Sequence, residues 1–136
     1  MKTVKTPQSR CRAGVARCDI TPPVGIYHRM WGAALHDRAT GVHRPLTATL
    51  LWLEPVAAVT GEPQIIISLD HCILDTAELR NIRDSIHRAT GVSVANIQVA
   101  VSHTHGSGWM SRTRSGLPGG ELVGHSFDSR WSCVRG

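Results

Sequence analysis

The sequence predicts an α/β fold, a mixed β-sheet with at least one βαβ unit. Three stretches predict it: the continuous Ile65-Ile66-Ile67 run in "QIIISLDHC", a capped amphipathic segment starting after Asp75, and the alternating "SVANIQVAVSH" that follows. Strand, helix and strand in that order make residues 64–103 a βαβ unit, which implies parallel strands and a right-handed crossover.

Residues 1–12 read as a loose leader, and the organised region is expected over 13–124, with 125–136 an unassigned tail. In "AGVARCDI" (13–20), apolar Val15 alternates with polar Arg17 and Asp19, a strand that "TPPVG" ends because Pro22 and Pro23 have no ladder donor. Residues 25–44 lack a period and carry three glycines and three histidines, the composition of a long functional loop. "PLTATLLWLE" (45–54) is a second strand, "TGEP" (60–63) a turn, and 64–72 a third strand, with both of its faces expected to be covered. Asp75 caps the helix with Glu78 three residues on; Leu79, Ile82 and Ile86 form its apolar stripe, and Gly91 stops it. Residues 93–103 are the fourth strand, and from Gly106 onward the glycine-rich chain reads as loop.

Length and composition narrow the function. A chain of 136 residues, 41% hydrophobic and 18% charged, is one globular domain and not a disordered tract. No apolar run reaches the ~20 residues of a membrane span, and the charged N-terminus has no apolar centre to make it a secretory signal. The net charge of +5 gathers in Lys2, Lys5, Arg10, Arg12 and Arg17 and again in Arg112, Arg114, Arg130 and Arg135. Neither group is interleaved with aromatics or built into a nucleic-acid-reading motif, so it reads as solvated surface with at most weak attraction for phosphate or anionic lipid, and no nucleic-acid partner is expected. Cys11, Cys18, Cys72 and Cys133 include no C-x-x-C pair, and reduced, mostly buried thiols are expected.

The chemistry gathers at "VSHTHGSGWM" (101–110). If the strand continues, His103 and His105 share a face with Val101 at its carboxyl end, where ligands bind in α/β sheets. Alternate Cβ atoms along a strand lie roughly 6.6 Å apart, close enough for two imidazoles to converge on one cation. Zinc suits such ligands, and a catalytic zinc takes three from the protein and keeps a position for water. The competing interpretation is two histidines making ordinary hydrogen bonds at a strand end. Asp70 ends the preceding strand of the same unit and is placed to orient a metal-bound histidine, unless it serves only as a turn residue; His71 points to the other side. A metallo-β-lactamase-like site needs an aspartate where this chain has Ser107, and an amidohydrolase-like barrel needs further βα units.

"AGVARCDITPPVG", "GVHRPLTATLLWLE", "IIISLDHCIL" and "NIQVAVSHTHGSG", in this order across residues 13–108, resemble the N-terminal region of the neutral/alkaline non-lysosomal ceramidases. That family cleaves the amide of N-acylsphingosine to sphingosine and a fatty acid with a zinc ion. The resemblance implies one Zn²⁺ site only partly present in this chain, with His103 as the metal ligand and His105 and Asp70 as the catalytic residues beside it; His43, in "GVHR", would line the same pocket. It implies ceramide or another N-acyl lipid as substrate and, with that, peripheral contact with a membrane surface. The family's small-residue tail usually reads Ser-Gly-Pro where this chain has Gly106-Ser107-Gly108, and its remaining ligands and proposed serine nucleophile lie downstream of the matching region. His125 comes too soon to supply one of them. The expectation is an incomplete N-terminal portion of a larger zinc-hydrolase catalytic domain, interrupted near Gly124 and inactive by itself. A hydrolase of another amide or ester, and a small basic binding protein without activity, are the alternatives.

Overall fold

Strand-forming residues, turn chemistry and one capped helix build the sheet. In a computed structural model of the chain, residues 10–29, 34–56, 61–109 and 111–123 are described. The strands are β1 (Cys11–Asp19), β2 (Thr47–Pro55), β3 (Gln64–Leu69) and β4 (Ile97–Val101), in the spatial order β1-β2-β3-β4. β1 pairs antiparallel with β2, β2 antiparallel with β3, and β3 parallel with β4. The sheet is therefore mixed, and β3, the helix α1 (Thr76–Thr90) and β4 form the expected βαβ unit.

The capping box around α1 is present in full: the Asp75 carboxylate accepts from the Glu78 amide at 2.8 Å, and the Glu78 carboxylate accepts from the Asp75 amide at 3.2 Å. At the other end Gly91 takes a left-handed conformation (φ 74°) and its amide closes on the His87 carbonyl. Ile82 and Ile86 are buried against Ile65, Ile67, Leu69, Ile97 and Val99, with Leu79 half-buried beside them. Fully burying an aliphatic side chain of this size contributes about 1.5–3 kcal/mol, so this one interface dominates the stability of the unit.

The strand ends differ from expectation for local reasons. Residues 94–96 coil into a 3-10 turn, closed by the Asn96 amide on the Ser93 carbonyl, so β4 begins at Ile97 and not at Ser93. It ends at Val101 because His103 has φ 59°, which an extended strand does not admit. β3 stops at Leu69, where the His71 amide folds back to the Leu69 carbonyl.

The expectation that both faces of β3 are covered is corrected. Its burial alternates, with Ile65, Ile67 and Leu69 sealed under α1 while Ile66 stays 43% exposed. Among the described residues one helix covers one face of the sheet, and the strand register sets Val15 and Leu51 in line with Ile66 on the other. The expectation of reduced thiols holds for Cys11 and Cys72, but Cys18 is disulfide-bonded.

The 25–44 excursion is irregular, as its composition implied, yet it is held at both ends. Tyr27 bridges to Arg38, and Gly25 and His28 donate to the carbonyls of Ala39 and Asp37. Ile26 packs with Val123 in a small second core. No described helix is long and apolar enough to cross a membrane.

Candidate metal centre at the sheet rim

The parallel pair β3–β4 brings two loops together at its carboxyl end. Leu69 stands opposite Val101, and beyond that pair the Ser102 amide donates to the Leu69 carbonyl at 2.9 Å and the Thr104 amide to the His71 carbonyl at 3.1 Å. The loops thus remain zipped after the strands end. Asp70 sits at the start of the first loop, where its carboxylate accepts from the Thr47 amide and the Thr47 hydroxyl, each at 2.9 Å. Partial burial pushes this carboxyl up, but the two Thr47 bonds, a bond from the Ser102 side chain and the charge of Arg17 together hold it below its ordinary value. Asp70 is therefore an anion that ties β2 to the residue just before His103.

His103 and His105 do converge, though not by strand alternation. The left-handed turn at His103 and the 3-10 turn His105–Ser107 swing the rings together, edge to face, with centroids 4.9 Å apart. Burial, and then the positive charge of a protonated His103, hold the His105 imidazole below its ordinary range, which favours the neutral form that binds metals.

Cys72, buried and not in a disulfide, completes the group. One donor atom each from Cys72, His103 and His105 lies within 4.8 Å of the other two. Tetrahedral zinc, with bonds of about 2.0–2.3 Å, spaces its ligand atoms roughly 3.3–3.5 Å apart, so small side-chain movements close the set. Two imidazoles and a thiolate suit zinc, and three protein donors leave a coordination position open. The residues present fit such an ion. Asp70 stands outside this group of three.

The turn that carries the histidines is pinned from beneath. Ser107 is fully buried and accepts from the Cys72 amide at 3.3 Å, while its own hydroxyl has the Thr104 and Gly108 carbonyls within 3.3 and 3.2 Å. Next to it Gly108 (φ 72°) passes so close to Ile26 and the Tyr27 carbonyl that a Cβ would meet them at 3.0 and 3.1 Å. Thr104 and Gly106 also form part of the wall of a cavity of about 620 Å³, which takes in Asp70, His43, His28, His36 and Arg17. His43 lines this cavity together with Asp70, while His103 and His105 are not among its lining residues. His71 is buried on another side, at a smaller cavity of about 170 Å³ with Asp75 and Trp109. His125 lies outside the described residues.

Two residues of this centre escaped the sequence reading, Cys72 as a donor and Ser107 as the bolt beneath it. The parallel register held the signal, because a residue three past Leu69 and a residue two past Val101 must meet at one rim.

No protein-family model and no curated protein matches the chain by sequence. Solved structures match by fold. A ceramidase complexed with C2 superposes with a TM-score of 0.71 at 20% identity, over 94% of this chain and 20% of that one. The neutral ceramidase from Pseudomonas aeruginosa gives 0.64 at 19% identity, over 93% of this chain and 22% of that one. The chain spans about a fifth of the length of these relatives, and it shares its fold with a segment of the neutral ceramidases, as an incomplete α/β domain.

Proposed function

We propose that the chain is the N-terminal part of a zinc-dependent, ceramidase-like amide hydrolase, with N-acylsphingosine or a related N-acyl lipid as substrate. One observation carries this reading: nearly the whole chain adopts the fold of a ceramidase segment, and its histidine pair converges at the carboxyl end of the parallel strands, where ligands bind in α/β sheets. His103 would hold the zinc. His105, kept neutral beside it, would take or return a proton at the reacting amide. Asp70 acts through its bond to Ser102, fixing the residue that precedes His103. Bound zinc supplies Lewis-acid polarisation of a carbonyl and a water of lowered pKa. The cavity beside Thr104 and Gly106, polar with Asp70 and His43 in its wall, would receive the amide head of the lipid, and its acyl chain would extend toward a membrane surface. The remaining zinc ligands and the nucleophile would come from beyond this segment, so the chain alone would be inactive.

A chimera tests this. The chain replaces the corresponding segment of the Pseudomonas aeruginosa neutral ceramidase, with circular dichroism and bound zinc as controls on folding. Hydrolysis of a short-chain ceramide that His103→Ala abolishes is the expected result. A folded, zinc-loaded chimera that leaves ceramide intact but cleaves simple N-acyl amines would move the assignment to another amide hydrolase. One that cleaves neither would remove the enzymatic reading.

A further inference from the structure

We propose that Cys72 is a metal ligand, and that Cys72, His103 and His105 give this chain a three-donor zinc-class site of its own. The inference extends the reading of His103 as a zinc ligand, gives His105 a ligand's role in place of the proton transfer proposed above, and departs from the expectation that this chain carries one corner of a site and no more.

Backbone contacts place the sulfur. The Thr104 amide bonds to the His71 carbonyl, and the Cys72 amide bonds to the buried Ser107 hydroxyl, so Cys72 is tied from both sides to the turn that carries the imidazoles. The thiol is buried and takes part in no disulfide, while His103 is exposed and His105 half-buried. The three donors therefore form a cup with sulfur at its floor and an imidazole at its mouth, where a fourth, exchangeable ligand can enter.

Donor chemistry then selects the ion. A thiolate with two neutral imidazoles prefers Zn²⁺, Co²⁺ or Cu⁺ and disfavours Mg²⁺ and Ca²⁺, which need oxygen. Loading replaces the S–H proton with the metal and releases that proton to solvent, which leaves a net single positive charge on a Zn²⁺ complex. No downstream carboxylate or phenol is needed for the ion to bind.

Cobalt reports the sulfur directly. The chain is titrated with Co²⁺ in a Cys11→Ser background, which removes the other free thiol among the described residues and leaves the rim untouched. The expected result is a one-to-one complex with a near-ultraviolet sulfur-to-cobalt charge-transfer band that Zn²⁺ bleaches. Cys72→Ser should abolish that band and weaken Zn²⁺ binding more than about tenfold, with an unchanged circular dichroism spectrum. In the unsubstituted chain, Zn²⁺ should slow alkylation of Cys72, located by mass spectrometry. If the parent and Cys72→Ser bind Zn²⁺ equally while His103→Ala does not, His103 stands as a ligand and Cys72 is excluded. Absence of any metal binding, or Zn²⁺ that leaves Cys72 alkylation unchanged, overturns the proposal; the ceramidase reading is judged separately by the chimera.

Discussion

The Cys72 amide and the Ser107 hydroxyl meet at 3.3 Å in a fully buried position, so one serine ties the loop after β3 to the turn after β4. Both candidate donors on that turn, His103 and His105, depend on the tie for their position relative to Cys72. Ser107→Ala leaves the Cys72 amide and two neighbouring carbonyls with no hydroxyl to meet. The expected cost is about 1–3 kcal/mol, the penalty for a buried polar group deprived of its partner. Urea denaturation measures it. A loss below about 0.5 kcal/mol, the range of an inert surface change, would show that the tie is dispensable.

Gly108 and Gly91 both have positive φ, at 72° and 74°, but they face different surroundings. Gly91 has open space where a Cβ would stand and adopts the left-handed helical conformation, which other residues tolerate at a modest cost. Gly108 combines φ 72° with ψ 176°, a region that is essentially glycine-only, and a Cβ there would press on Ile26 and the Tyr27 carbonyl. Gly91→Ala should cost about 1 kcal/mol, and Gly108→Ala about 2–4 kcal/mol, strain and crowding together. Thermal unfolding of the two variants side by side checks the ranking. Equal losses would mean that contact with the 25–29 segment does not matter to the turn.

The sequence was most informative where the physics is local. Asp75 with Glu78, the Leu79-Ile82-Ile86 stripe and Gly91 marked α1 nearly to its ends, because capping and periodicity act within a few residues. β2 and the βαβ order were legible for the same reason. Long-range terms hid the rest. Alternation extended β4 through His103 and His105, while the actual strand ends at Val101 and a left-handed turn brings the rings together. The Ile65-Ile66-Ile67 run suggested two covered faces, yet coverage depends on what packs from elsewhere, and only one face carries a helix among the described residues. Cys72 had no motif of its own and became visible only through the register of β3 against β4.

Asp70 is placed to serve stability and metal binding through the same contacts. Its carboxylate gathers two bonds from Thr47 and one from Ser102. Asp70→Ala removes all of them and should destabilise the chain by about 1.5–3 kcal/mol, the range for hydrogen bonds to a charged group. Asp70→Asn keeps one oxygen for Thr47, so it should cost clearly less. It weakens the support of Ser102, and with it the placement of His103, so Zn²⁺ affinity should fall roughly 10- to 100-fold, the usual effect of losing an outer support. Calorimetry on the folded Asn variant separates the two roles. Unchanged affinity would restrict Asp70 to tying strands together.

Glu78 gives the fold a pH dependence of definite sign. It is 4% exposed, and burial pushes its carboxyl up. The Asp75 amide pulls it down, the Asp75 charge pushes it up, and the amide and charge of Arg112 pull it down, with a net rise above the ordinary 4.5. The folded state therefore binds this proton more tightly than the unfolded chain, and between the two pKa values it carries the excess. The contribution to stability is complete below pH 4.5 and is lost as pH rises through the folded value. Asp70, held below its ordinary 3.8, acts in the opposite direction and in a lower window, so the two do not mask each other. Glu78→Gln keeps a capping-box side chain but offers one acceptor oxygen where Glu78 uses two, and its absolute stability should fall by about 1 kcal/mol. The slope is the decisive quantity. Urea unfolding at intervals from pH 4 upward should show stability declining through the lower part of that range in the parent and a flatter profile in the variant; parallel profiles would assign the slope to other carboxyls.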